Sequence, residues 1–160
     1  ANMKDVCKSC HGSAFADGHY YQFDAVVRLY NDKFIVPARA ILDMVHEKDL
    51  TEYPASFANE IEWVYWELWH HEGRRARHGA SMMGPDYTWW HGMYEVAKHF
   101  YFKMLPEARK FEDPEINAFI DSLITNDPMH SWLTVETGEL KERIQSGEMQ
   151  KIYKGYFEEK

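Results

Sequence analysis

Cysteine is nearly absent. The two in 160 residues, Cys7 and Cys10, stand three positions apart, too close to staple distant parts of a domain, so the fold has to rest on a hydrophobic core. No run of about 18 apolar residues occurs, which argues against a helix spanning a bilayer. The opening segment ANMKDVCKSC has no apolar core of the signal-peptide kind. Export is therefore expected to precede residue 1, unless the chain starts within a longer protein. Positive charge is in deficit: 18 Lys and Arg face 26 Asp and Glu, a net charge of -8, which argues against nucleic acid or an anionic membrane as the main partner. Alternating strand patterns, internal repeats and low-complexity stretches are also missing.

Aromatic side chains are abundant, with six Trp, ten Tyr and nine Phe. So much ring surface calls for large flat partners or many helix contacts. Phe23, Val26, Val27, Tyr30 and Phe34 recur at helical spacing, predicting a helix from about 20 to 32 that Pro37 kinks or ends. The apolar stretch 38–45 follows, then the polar segment 46–56 reads as a loop, with Ser56 as the N-cap of the next helix. Ile61, Val64, Tyr65, Leu68 and Trp69 form one stripe there, and Trp63, Trp66 and His70 form another, so two faces should be buried. A further helix is predicted from 86 to 104, stopped by Pro106, and a short amphipathic one over 114–125. The stretch from Gly138 is charged and sparsely apolar, a lone outer helix or a docking tail. The fold class expected is all-α, with long packed helices behind a haem-attachment motif in the manner of multihaem cytochromes c. Residues 1–106 and 107–160 are read as two regions of one structural unit.

The motif is Cys7-Lys8-Ser9-Cys10-His11. Two thiols at this spacing can form thioethers to porphyrin vinyl groups while the adjacent His reaches the iron. A redox dithiol would need a βαβ setting, and zinc would need two more ligands, so haem c is the favoured reading. A second axial ligand could come from His19, His46, His70, His71, His78, His91, His99 or His130, or from Met82 or Met83. Nine histidines exceed what one haem uses, which suggests that several face haems attached elsewhere. The densest segment is ELWHHEGRRARHGASMMGPDYTWWHGMYE, residues 67–95. His71 and His78 share a face if the helix continues, and Tyr87 and His91 form an i,i+4 pair. Arg74, Arg75 and Arg77 lie between them, as propionate partners or as a solvated basic face.

The segment WHHEGRRARHGASMMGPDYTWWHGMYE resembles the carboxy-terminal part of the octahaem hydroxylamine oxidoreductase family, also called hydroxylamine dehydrogenase, with its hydrazine-oxidising relatives. The resemblance begins at the CKSCH motif, reaches about Pro106 and then fades. It implies a trimer of multihaem subunits in an extracytoplasmic compartment such as the periplasm, with haems lined up as an electron wire. It implies further that Tyr87, within Gly84-Pro85-Asp86-Tyr87, matches the tyrosine that oxidising members cross-link to the catalytic haem of a neighbouring subunit. Cys7, Cys10 and His11 would carry the last haem of the row. His70 or His71 would supply a distal ligand to one haem, with His19 and His91 as further candidates, and Arg74 and Arg75 would meet propionates.

One attachment motif stands here where the full subunit of that family has eight. The chain is thus expected to be a fragment or a split subunit, inactive alone, working with another haem-bearing polypeptide and an electron-acceptor cytochrome. Its reaction would be oxidation of hydroxylamine or hydrazine. Two alternatives of other kinds stay open. One is a self-contained electron-transfer cytochrome with Met82 or Met83 on the iron, or a reductive relative. The other is an assembly module whose aromatic helix 58–70 mainly trimerises the complex.

Overall fold

The computed structural model describes residues 3–158, and every element among them is helical. The chain divides into two compact units, Ala1–Glu107 and Ala108–Lys160.

In the first unit, a short helix α1 (Met3–Lys8) carries Cys7 and precedes three long helical stretches. The first joins α2 (Ser13–Tyr30) to α3 (Val36–Glu47) through a π turn, Asn31–Ile35. The second joins α4 (Glu60–Trp66) to α5 (Gly73–Ser81) through a π turn, Glu67–Glu72. The third runs from α6 (Pro85–Thr88) through the π turn Trp89–Tyr94 to α7 (Glu95–His99), then through the π turn Phe100–Met104 to α8 (Leu105–Arg109). α2 packs on α5 and α3 on α4, so the first two stretches are antiparallel. The third returns along the second, with α6 beside α5 and the later turns beside α4. The core between them is built from Tyr30, Phe34, Ile41 and Val45, from Ile61, Val64 and Leu68, and from Val96, Phe100 and Met104.

Pro106 does not stop its helix, contrary to expectation, and at Pro37, where a kink or an end was expected, the helix runs on. A proline in a helix lacks an N–H and presses on the carbonyl four residues back. That carbonyl belongs to Lys33 in one case and Phe102 in the other, and both lie inside π turns. The widened i→i+5 bonding is seen directly at both places, where Val36 N–H bonds Asn31 O and Leu105 N–H bonds Phe100 O. The first helix also begins earlier than its apolar stripe suggests, at Ser13.

Asn59, not Ser56, caps α4: it forms a capping box with Glu62, and its side chain also ties back to the Tyr53 backbone at 3.0 and 2.8 Å. Two buried faces were expected, but only Ile61, Val64 and Leu68 of the first stripe are buried, while in the second Trp63 is exposed and Trp66 and His70 are half-buried.

Close approach of the helices depends on glycine. A Cβ on Gly73 would lie 2.1 Å from the Tyr30 hydroxyl, and one on Gly92 would lie 2.6 Å from Ala76 Cα.

In the second unit, α9 (Pro114–Asn126) is capped by Asp113, whose carboxylate accepts from Glu115 and Ile116 N–H at 3.0 Å each. Two further helices, α10 (Thr137–Gln145) and α11 (Glu148–Glu158), bury no residue fully, as their sparse apolar content implies. Among the described residues no helix is long and apolar enough to cross a membrane.

Candidate functional site

Two groups of candidate residues stand on the first unit. The cysteine motif forms a single turn at the end of α1: Cys10 N–H and His11 N–H both donate to Cys7 O, at 3.2 and 2.9 Å. Spacings of three and four residues on a turn put Cys7, Cys10 and His11 on one side. Cys10 and His11 are exposed and Cys7 is half-buried. The His11 ring stacks on Phe15 at 4.7 Å, and α1 and α2 together expose Met3, Val6, Phe15 and Tyr21. Both thiols are outside any disulfide. With an accessible imidazole and uncovered apolar surface on the same two helices, they fit the attachment of a flat apolar group, haem c included. Half-buried Tyr20 borders the motif. Its phenol is pushed up by desolvation, then by the charge and hydrogen bonding of Cys7. His19 is half-buried on α2, its ring edge-on to Tyr20 at 5.2 Å.

Tyr30 and Gly73 touch, and from there α2 runs back 17 residues to Ser13 while α5 runs on 8 residues to Ser81. At about 1.5 Å per residue, α2 overhangs the α5–α6 tip by roughly 13 Å.

The second group occupies that hairpin. α5 ends in a Schellman motif: Gly84 N–H bonds Gly79 O at 2.8 Å, Met83 N–H bonds Ala80 O at 3.3 Å, and Met83 takes the left-handed conformation at φ 54°. Pro85 then opens α6, whose Thr88 hydroxyl donates to Gly84 O at 2.8 Å. This tight reversal leaves Tyr87 at the tip, 59% exposed, with its ring 5.5 Å from that of His91.

From there a row of polar groups runs along the hairpin. His91 Nε2 lies 3.6 Å from Asp86 Oδ2, and its Nδ1 lies 3.6 Å from Glu95 Oε1. Glu95 accepts from Arg75, whose second guanidinium nitrogen is 3.2 Å from His71 Nδ1. Next to this row is an open cavity of about 400 Å³ lined by Arg74, Arg75, His78, Gly79, Met82, Gly84 and Tyr87. The structure thus joins Tyr87, His91, Arg75 and His71 in one row, with Arg74 at the cavity beside it.

His70 points elsewhere: it stacks on Trp66 at 4.5 Å, and its Nδ1 is buried without a hydrogen-bond partner. His99, in the first unit, and His130, in the second, are buried. Met82 and Met83 are both exposed.

Glu95 was not anticipated, although its place four residues after His91 was a readable signal. The engagement of Arg75 by Glu95, which leaves Arg74 the freer guanidinium, needed the fold. No family model, characterised protein or solved structure was found to match this chain.

Proposed function

We propose that this chain is the carboxy-terminal part, or a split subunit, of a multihaem c-type oxidoreductase that oxidises hydroxylamine or hydrazine in the periplasm or an equivalent compartment. Cys7 and Cys10 would hold one haem c and His11 would ligate it. Tyr87 would be contributed to the catalytic haem of a neighbouring subunit in a trimeric assembly. When bound, such a group supplies one-electron redox chemistry and, at the catalytic haem, an open coordination position.

The observation that carries the reading is the row Asp86, His91, Glu95, Arg75 and His71 beginning beside exposed Tyr87. Oxidation of an N–H substrate releases protons, and an imidazole between two carboxylates is suited to accepting a proton near Tyr87 and passing it towards solvent. Arg74 and Arg75 give the adjoining cavity a cationic wall, and a planar guanidinium fork matches a carboxylate such as a propionate. The exposed rings of Trp89, Trp90 and Tyr94 offer flat apolar surface to a haem-bearing partner. The acidic sum of charges suits a basic electron-acceptor cytochrome.

The test is the denatured mass of the polypeptide isolated from its native source, with every covalently bound haem retained. One haem on Cys7 and Cys10, together with a cross-link from Tyr87 to a haem-bearing peptide that is lost in Tyr87→Phe, is the expected result. A chain with no haem overturns the reading outright. One haem without the cross-link removes the catalytic role of Tyr87 and leaves electron transfer.

A further inference from the structure

The π turn Glu67–Glu72 does something no α-helical turn could do. In an α-helix at 3.6 residues per turn, side chains five apart diverge by about 140°. Widening the turn to i→i+5 bonding brings such a pair towards one face, here Glu67 and Glu72. His99, at the end of α7, faces both. Its Nδ1 is 3.4 Å from Glu72 Oε1 and its Nε2 is 3.9 Å from Glu67 Oε2. One ligand atom from each of the three residues lies within 4.8 Å of the other two.

A second observation points to a ligand. The His99 side chain is 4% exposed, and its Nε2 has no hydrogen-bond partner among the described residues, nor has the buried Oε2 of Glu72. Buried polar atoms are normally paired. An ion takes one nitrogen of the ring, and the unpaired Nε2 stands 3.9 Å from Glu67 Oε2, within the roughly 3.3–4.2 Å that separates donors bonded to a common ion at about 2.0–2.2 Å.

We propose that Glu67, Glu72 and His99 form a binding site for one divalent cation of the zinc class, with water completing the shell. One imidazole with two carboxylates is a borderline donor set, which favours such an ion over calcium or magnesium, whose sites are all oxygen. Half-exposed Glu67 provides the entry side. Lys103 stands there as a competitor, its Nζ 3.6 Å from Glu67 Oε2. The site is separate from the cysteine motif and does not depend on the haem reading.

The experiment takes the full protein in its native assembly, strips it with a chelator and titrates it calorimetrically with Zn²⁺ alone. The expected result is one tight site per chain. Glu67→Gln should weaken it at least tenfold, since loss even of outer partners costs metal sites that much. Lys103→Gln changes an exposed side chain and should tighten the site several-fold by removing the competing ammonium. X-ray absorption at the zinc edge should show one imidazole among oxygen donors. Absence of tight binding, binding equal in Glu67→Gln and wild type, or affinity unmoved by Lys103→Gln each overturns the proposal.

Discussion

Replacing Tyr30 with Phe removes one oxygen from the centre of the first unit. Tyr30 is 0% exposed, and its hydroxyl donates to Trp69 O at 3.1 Å. That carbonyl needs the donor, because the Gly73 N–H that it would receive in an α-helix is bonded to Leu68 O instead. In Tyr30→Phe this part-buried carbonyl loses the phenol as its donor, at a cost of about 1–3 kcal/mol. The ring itself keeps its packing against Gly73.

The pH dependence separates this from a packing defect. Burial pushes the Tyr30 phenol well above its ordinary 10.0, and the Arg77 guanidinium only partly offsets the rise. Below that ordinary value both folded and unfolded chains hold the proton, and the stabilisation is complete. As pH rises past it the unfolded chain releases the proton while the folded chain retains it, so wild-type stability falls by about 1.4 kcal/mol per pH unit. Phe has no proton to lose, and the remaining tyrosines titrate alike in both proteins. Urea midpoints should therefore show a deficit of about 1–3 kcal/mol for the variant at about pH 8, shrinking by about 1.4 kcal/mol at about pH 11. No deficit near neutrality, or one that is the same at both values, would refute the reasoning.

Gly73→Ala forces a Cβ to within 2.1 Å of the Tyr30 hydroxyl and 2.3 Å of its ring. The gain in helix propensity of about 1 kcal/mol cannot offset this overpacking, and a net loss of about 2 kcal/mol is expected in thermal unfolding. Met83→Gly should do the opposite. A left-handed residue at φ 54° is strained for any side chain, so glycine should raise the unfolding free energy by up to about 1 kcal/mol with Tyr87 kept at the hairpin tip.

The helices were legible because apolar residues at 3.6 spacing report burial directly. Phe23, Val26, Tyr30 and Phe34 give the first stretch, and Ile116 and Ile120 give α9. The π turns were not legible, since a single widened turn leaves the apolar stripe almost intact on either side. For that reason Pro106 was misread as a stop, and the end left open at Pro37 does not occur, because the tolerance each enjoys comes from backbone bonding several residues upstream. Asn59 lost to Ser56 as a cap on local sequence alone, while its tie to Tyr53 is set by how the loop folds back. Within the candidate site, the i,i+4 relation of Tyr87 and His91 followed from helical spacing. The bond from Arg75 to Glu95 crosses between α5 and α7, and no local pattern encodes it.

A π turn amounts to a helix that has taken in one residue too many without breaking. Closing Glu67–Glu72 to ordinary i→i+4 bonding with every residue kept would rotate everything downstream by about 100°. Gly73 would then leave the Tyr30 ring, and Arg75 would swing away from Glu95. The phase of the α5 side chains, and with it the setting of Tyr87 and its neighbours, is thus held by one surplus residue more than a helical turn away.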